Sequence, residues 1–241
     1  HQGYIEPHAC VARWGQDEQA LIWCSSQGAF DIRSMTARVL DVSVSHLKVV
    51  PAEIGGGFGG KTTIYLEPLA VLLSKKAGRP VKLTMSREEV FRASGPASAC
   101  KARVRIGARQ DGTLTAMYAW LGYEAGAFAG SPMGPGVMCA FAPYKCANFR
   151  IEGHDVLVNK PKVAAYRAPG APQANFAVES ALDEIAREIG MDPIDLRLAN
   201  AVAEGDAATY GPKFRAIGLV ECLRAAKAHP NYAKPLAAGR G

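Results

Sequence analysis

The sequence predicts an α+β fold, with mixed sheets and helices packed on them. Three observations carry this. Short segments of apolar alternation and longer segments of helical periodicity intermix along the 241 residues. No regular strand–helix–strand repeat orders them, which argues against a doubly wound sheet. The content, 49% apolar and 21% charged, is that of a chain able to bury a core, long enough for one large domain or two small ones. No internal repeat is visible.

"ACVARW" and "ALIWCSS" read as short strands, with the polar "GQDEQ" between them as a hairpin turn. From Asp31 to Leu40 the apolar residues Ile32, Met35, Val39 and Leu40 follow the spacing of an amphipathic helix, with Asp31 as its expected cap. "HLKVVPAEI" is an apolar strand that leads into a run of glycines, and a helical pattern follows from Thr62 to Lys76. In that helix Leu66, Leu69, Ala70, Leu72 and Leu73 are expected to form a broad buried face, Pro68 to bend it or cost a hydrogen bond, and Gly78 to close it with Pro80 beyond. "VKLTMS" is another strand, and "RVRIGARQDGTLTAMYAWLGY" is a strand pair around Asp111-Gly112. Residues Ala125 to Pro143 are rich in Gly and Pro and read as a long loop. A strand near Asn148–Val158 precedes "AAYRAPGAPQ" and a strong helix, "NFAVESALDEIAREIG". "MDPIDLRLANA" restarts a helix, with Asp192 as cap and Pro193 in its first position; a last helix covers Leu219 to Ala228.

The formal charge of +6 is modest and spread along the chain. In "KARVRI" Lys101, Arg103 and Arg105 share one strand face, and without interleaved aromatic residues this reads as a solvated face, not a nucleic-acid surface. The six cysteines, Cys10, Cys24, Cys100, Cys139, Cys146 and Cys222, form no CxxC pair, so neither a thiolate metal site nor a disulfide framework is supported. Apolar runs stay short of the about 18 residues that a membrane helix needs. No targeting leader precedes His1, and the expectation is a cytoplasmic protein with reduced thiols, represented by a piece cut at both ends.

Gly55 to Thr62, "GGGFGGKT", satisfies the phosphate-loop pattern G-x-x-x-x-G-K-[ST] and lies between a strand and a helical pattern. Such a loop cradles phosphates with its N–H groups, brings its Lys to the β- and γ-phosphates and puts its Thr on Mg²⁺. It also needs an apolar strand that ends in an acid to hold the magnesium. Asp155 in "GHDVLV" stands at the wrong end of its strand, and Asp183 in "VESALDEI" lies within a helix. The loop has more glycine than an NTPase needs: Phe58 alone keeps a side chain between Gly55 and Gly60. Such a ribbon suits close approach of backbone to a flat, bulky ligand.

"GGGFGGK", preceded by "SSQG" (Ser25 to Gly28) and followed by "AYRAPGAPQ" (Ala165 to Gln173), resembles the molybdenum-binding large subunit of the molybdenum hydroxylases, the family of xanthine dehydrogenase, aldehyde oxidase and carbon monoxide dehydrogenase. "GYIEPHACVARW" and "VESALDEIAREIGMDPIDLRLAN" fit the same family, so the resemblance runs through essentially the whole chain. It implies a molybdopterin-binding domain over residues 1–241, the first part of a longer one, with a subdivision near 160–175. It implies that Gln27 hydrogen-bonds an oxo ligand on molybdenum, that Gly56, Gly57, Phe58 and Gly59 meet the pterin and the metal ligands, and that Arg167 contacts the cofactor. An uncharged amide can orient an oxo group without adding charge, and a guanidinium is a multidentate clamp for anions. The helix start near Gln173 to Asn175 would offer further N–H groups to an anion.

The reaction implied is hydroxylation of an aldehyde or aromatic N-heterocycle with oxygen from water, the electrons leaving through 2Fe-2S clusters and FAD on other domains or subunits. The cofactor would be molybdenum-molybdopterin, with or without a nucleotide extension. The family's general base, a Glu in a Gly-Glu-Pro-like segment, has no counterpart here: Glu67-Pro68 follows Leu66 in a helical pattern, and Glu6-Pro7 matches another family feature. The base is therefore expected outside these residues, with no catalytic or metal-ligating residue within them, and the piece alone is expected to be inactive. Expected partners are the C-terminal half of the same subunit, the iron–sulfur and flavin modules and a small-molecule substrate; neither nucleic acid nor membrane insertion is expected. Purine-oxidising members have a Glu after the loop's Lys and an aromatic residue two after the motif's Arg. Thr62 and Pro169 hold those substrate-pocket places here, which speaks against xanthine as substrate. Two other readings remain open: a Mg²⁺-dependent NTP-binding module on Gly55–Thr62, and a cofactor-free scaffold.

Overall fold

The structure is a computed structural model that describes residues 1–234. The chain divides into two compact units, each discontinuous in sequence. The first takes in His1–Ala99, Glu124–Ser131 and Val156–Pro169; the second takes in Cys100–Tyr123, Pro132–Asp155 and the chain from Gly170 onward.

The first unit is built on strands β1 (Ala9–Trp14), β2 (Ala20–Cys24), β3 (Leu47–Pro51) and β4 (Val81–Thr84) in the order β3-β2-β1-β4. β1 is antiparallel to β2 and β4, while β2 is parallel to β3. A parallel neighbour requires a crossover, and helix α1 (Ala29–Leu40) supplies it between β2 and β3. Helix α2 (Glu67–Ala77) joins α1 over the sheet: Ile32 and Ala37 of α1 and Ala70 and Val71 of α2 form one core with Cys10, Ala12, Ile22 and Cys24 of the strands. Helix α3 (Arg87–Ala93) follows β4.

The periodicity places these elements well and their starts less well. Gly28, not Asp31, caps α1, and Asp31 lies in the first turn, where its charge favours the helix N-terminus. α2 begins at Glu67 instead of Thr62, so Pro68 sits in its first turn, where no intrahelical bond is lost and no bend results. The leucine face expected to be buried is not: α2 turns Glu67, Ala70, Val71 and Ser74 inward, so that Leu69, Leu72 and Leu73 are left exposed. Gly78 ends α2 in the left-handed conformation, as expected. α3 carries a capping box, with Ser86 Oγ accepting from the N–H of Glu89 and the Glu89 carboxylate accepting from the N–H of Ser86. "SREE" displays that signature in the sequence.

The second unit has strands β5 (Cys100–Ala108), β6 (Leu114–Gly126) and β7 (Phe149–Leu157) in that order, with β5 and β6 antiparallel around the Asp111-Gly112 turn. The last residues of β6 and of β7 belong to the first unit. Alternate residues of β6, namely Met117, Ala119, Leu121 and Tyr123, meet Ala174, Val178, Leu182 and Ala186 of helix α5 (Ala171–Ile189). The fourfold spacing on α5 is one stripe of the helix, and each fully buried Leu or Val on it contributes about 1.5–3 kcal/mol. Lys101, Arg103 and Arg105 are exposed on the other face of β5, as the alternation predicts.

Two expectations are corrected here. The Gly- and Pro-rich stretch after Ala125 is not all loop, since helix α4 (Met133–Ala140) forms within it. Gly136 of α4 packs so closely on Tyr123 that any Cβ there would collide with the phenol, so tertiary packing overrides a poor helix propensity. α5 starts at Ala171, ahead of the Gln173–Asn175 start read from sequence. Helix α6 (Pro193–Asn200) is capped as expected, Asp192 Oδ1 accepting from the N–H groups of Ile194 and Asp195. Helix α7 (Leu219–Ala228) lies where the sequence places it. Strands and helices thus intermix as an α+β fold.

Candidate cofactor site

The glycine loop belongs to the first unit, where three distant segments meet it. The SSQG segment leaves the end of β2. There Gln27 donates its backbone N–H to Lys61 O at 2.9 Å. Its side-chain Oε1 accepts from the N–H of Gly59 at 2.9 Å and of Lys61 at 3.2 Å. Both partners are donors, so the carbonyl end of the amide must face the loop and the NH₂ end must face away from it. Residues 165–167 reach the loop from the other side, with Arg167 N–H on Phe58 O at 2.9 Å. The N-terminal segment holds both: Gln2 Nε2 donates to Ala165 O at 2.8 Å, and Glu6 exchanges bonds with Gly55.

This crowding explains the glycines. A Cβ on Gly59 would lie 2.7 Å from the Ala165 carbonyl oxygen, one on Gly60 would lie 2.8 Å from the Tyr4 ring, and one on Gly57 would strike Gln27 Oε1. At these positions the lack of side chains serves the packing of the loop on its own unit. Gly56 and Gly59 also have φ of 93° and 95°. Phe58 adopts φ 52°, a left-handed conformation that a bulky residue holds only when its surroundings impose it. Its ring is half-exposed.

The loop is not the phosphate loop of an NTPase. Lys61 turns inward: its side chain is 0% exposed, Nζ lies 2.7 Å from Glu6 Oε2, and it sits 5.0 Å from the Tyr4 ring centroid. Thr62 is exposed and donates its hydroxyl proton to Gly59 O at 2.9 Å. No helix starts at the motif's end, since α2 begins only at Glu67. The lysine, the hydroxyl and the helix dipole that a triphosphate requires are all committed or displaced.

What the loop leaves open is different. Among the described residues nothing accepts from the N–H groups of Gly56, Gly57 and Phe58. The Arg167 guanidinium is exposed and has no partner there either. The buried Ser25 Oγ and Gln2 Oε1 also lack hydrogen-bond partners. Unpaired buried polar groups are uncommon and mark places that a bound group or water would satisfy. The donors present, three successive backbone N–H groups, an amide and a guanidinium, suit an anionic group rich in oxygen and sulfur acceptors. Pro169, the last residue of the unit before α5, is partly buried.

Electrostatics around the loop are set by burial. Burial works to raise the Glu6 carboxyl, but the hydrogen bonds from Lys61 and from the Gly55 N–H outweigh it and hold it below the usual carboxylate range. His8 is lowered to about 4 by burial and by the Lys61 charge, so its ring is neutral, and its Nε2 shares a hydrogen bond of 2.6 Å with the Tyr4 hydroxyl. Burial and the nearby Glu67 push the Cys10 and Cys24 thiols up to about 12, which removes them as nucleophiles near neutral pH. Among the described residues no group of three or more His, Cys, Asp or Glu could hold a metal ion. Sequence reading did not single out Gln2, Tyr4 or Glu6 as site residues, and Lys61 only as a phosphate ligand. Their motif, "HQGYIEP", shows no chemistry until the fold lays it along the loop.

Residues 1–201 match the model of the molybdopterin cofactor-binding domain. Xanthine dehydrogenase molybdenum-binding subunit of Escherichia coli O157:H7 is 34% identical over 232 residues, covering 91% of this chain and 30% of that protein. Nicotinate dehydrogenase large molybdopterin subunit of Eubacterium barkeri is 31% identical, covering 93% of this chain and 54% of that protein. Among solved structures, aldehyde oxidoreductase from Desulfovibrio gigas superposes with a TM-score of 0.87 at 29% identity, covering 95% of this chain and 25% of that one. The chain thus spans between a quarter and about half of the length of these relatives. With the match running over most of the chain and the glycine loop arranged for something other than a triphosphate, the chain belongs to the molybdopterin cofactor-binding domain family of the molybdenum hydroxylases.

Proposed function

We propose that this chain is the first part of the molybdopterin-binding subunit of an oxidoreductase that hydroxylates aldehydes or N-heterocycles with oxygen derived from water. In this reading Gln27, Gly56, Gly57, Phe58, Gly59 and Arg167 contact the cofactor. When bound, the molybdenum–pterin group supplies the two-electron chemistry and the oxygen transfer. This chain's own residues bind and orient it. The N–H groups of Gly56, Gly57 and Phe58 donate to its acceptor atoms, and the Arg167 guanidinium neutralises its anionic part. Gln27 offers an NH₂ group whose direction is fixed by the two bonds on its oxygen, so no rotation is needed on binding. The metal would arrive with ligands other than these side chains.

One observation carries the reading: the run of unpartnered N–H groups beside an amide already locked with its donor end outward. Thr62 and Pro169 would line the substrate pocket. Thr62 brings no carboxylate and Pro169 no flat ring, so an aldehyde or a heterocycle other than xanthine fits these two positions better. The general base, the 2Fe-2S clusters and FAD would come from the remainder of the subunit and from other domains or subunits, in a cytoplasmic enzyme. No helix among the described residues is long and apolar enough to cross a membrane. The test is metal and pterin analysis of the full-length protein that carries these residues. About one molybdenum per chain is expected; a chain that binds Mg²⁺-ATP and contains no molybdenum when grown with molybdate would overturn the reading.

A further inference from the structure

A single carboxylate oxygen closes the glycine loop. Glu6 Oε2 accepts from the N–H of Gly55 at 2.8 Å and from Lys61 Nζ at 2.7 Å, and so joins the first and last residues of "GGGFGGK". The backbone N–H of Glu6 returns a bond to Gly55 O at 3.1 Å. The Lys61 side chain has no exposure, and among the described residues Glu6 is the anion that pairs with it. A buried ammonium stripped of its counter-ion is costly, so this end of the loop stays where the carboxylate is. Between the two ends lie four glycines and Phe58, a segment that would otherwise sample many conformations. Gly59, within that segment, and Lys61, at its end, both donate to Gln27 Oε1.

We infer that Glu6 and Lys61 form a clasp that preforms the loop before any cofactor is present. Glu6 is a positioning residue: through Gly55 and Lys61 it fixes the direction of the Gly56, Gly57 and Phe58 N–H groups and, through Gly59, of the Gln27 amide. The value of this for a cofactor rests on the function proposed above; the clasp itself does not. Closure from within the chain removes the entropy of ordering a glycine ribbon from the binding step.

Amide hydrogen exchange of the full-length chain purified without cofactor tests it. In the wild type the amides of Gly55, Gly59 and Lys61 exchange at least tenfold more slowly than those of Gly56 and Phe58. Glu6→Gln keeps the shape and removes the charge. It accelerates Gly59, which does not touch residue 6, at least tenfold, and leaves the β1–β2 amides of Val11 and Trp23 unchanged. Should that variant unfold, two double variants decide. Glu6→Gln with Lys61→Met removes both charges, keeps an acceptor for Gly55 and restores protection at Gly59; Glu6→Ala with Lys61→Met removes that acceptor and does not. Gly59 protection unaffected by Glu6→Gln, or equal in the two double variants, overturns the clasp. Molybdenum analysis of the same wild-type chain after growth with molybdate separates the two readings: a protected loop that takes up no molybdenum sinks the proposed function and leaves the clasp standing.

Discussion

The side-chain oxygen of Gln27 lies 2.9 Å from the backbone nitrogen of Gly59, thirty-two residues further along the chain. Because Lys61 N–H shares the same acceptor, the amide has one orientation, and its NH₂ group is presented away from the loop. Gln27→Glu separates the two ends of this group. A carboxylate still accepts both N–H bonds, so stability should stay within about 1 kcal/mol of the wild type. Its second oxygen, however, is an acceptor with a negative charge where a neutral donor stood. Molybdenum retained by the full-length protein is expected to fall at least tenfold, read by metal analysis beside a thermal melt. Full retention would show that the outward NH₂ group is not a cofactor contact.

Gly59 is held between two constraints, a positive φ and the Ala165 carbonyl at 2.7 Å from where a Cβ would stand. Gly59→Ala meets both, and a backbone oxygen cannot move aside as the tip of a side chain can. Unfolding in denaturant is expected to show a loss of about 2–4 kcal/mol, from strain and overpacking together. Gly134 in α4 is the control, since nothing lies within 4 Å of its added Cβ. Gly134→Ala should be neutral, or stabilising by up to about 1 kcal/mol through helix propensity. Equal effects at the two positions would mean that the loop is not packed as described.

Much of this was legible in the residues. Alternation and helical spacing located β1, β2, β4, β5, β6, α5 and α6, because in each the inward face follows from local periodicity; α7 was located by its spacing alone, since none of its residues is buried. The glycine loop, "SSQG" and "AYRAP" stood out by composition, and the fold brings Gln27, Phe58 and Arg167 to one loop by the bonds described above. What stayed hidden depends on long-range packing. Gly136 of α4 stands where Tyr123 leaves no room for a Cβ, a fact absent from residues 133–140 taken alone. Lys61 followed the phosphate-loop pattern in sequence and the opposite direction in space, because its partner, Glu6, lies fifty-five residues away. A motif fixes spacing along the chain; where a flexible lysine points is decided by the charge it finds.

His8 gives the site a pH dependence that does not involve any cofactor. Its ring is buried against Tyr4 and Tyr65, within reach of the charges of Lys61 and Glu6, and its pKa falls from 6.5 to about 4, by burial first and the Lys61 charge second. The unfolded chain therefore binds a proton between about pH 6.5 and about pH 4 that the folded chain refuses. Stability contributed by the neutral ring is complete above pH 6.5 and is lost as the pH falls to about 4, a difference of about 3 kcal/mol. Glu6, held below the ordinary carboxylate range, adds a loss on the acid side, through its own lowered pKa. Urea unfolding at pH 7.0 and pH 4.5 measures the sum. His8→Gln, whose amide can share a hydrogen bond with the Tyr4 hydroxyl in either direction, should flatten the part of the slope above pH 4.5 and leave the more acidic part. Direct NMR titration of the ring provides the check if that variant does not fold. An imidazole that titrates near 6.5 in the folded chain would mean that burial does not hold the ring neutral, and the slope would then have to come from carboxylates alone.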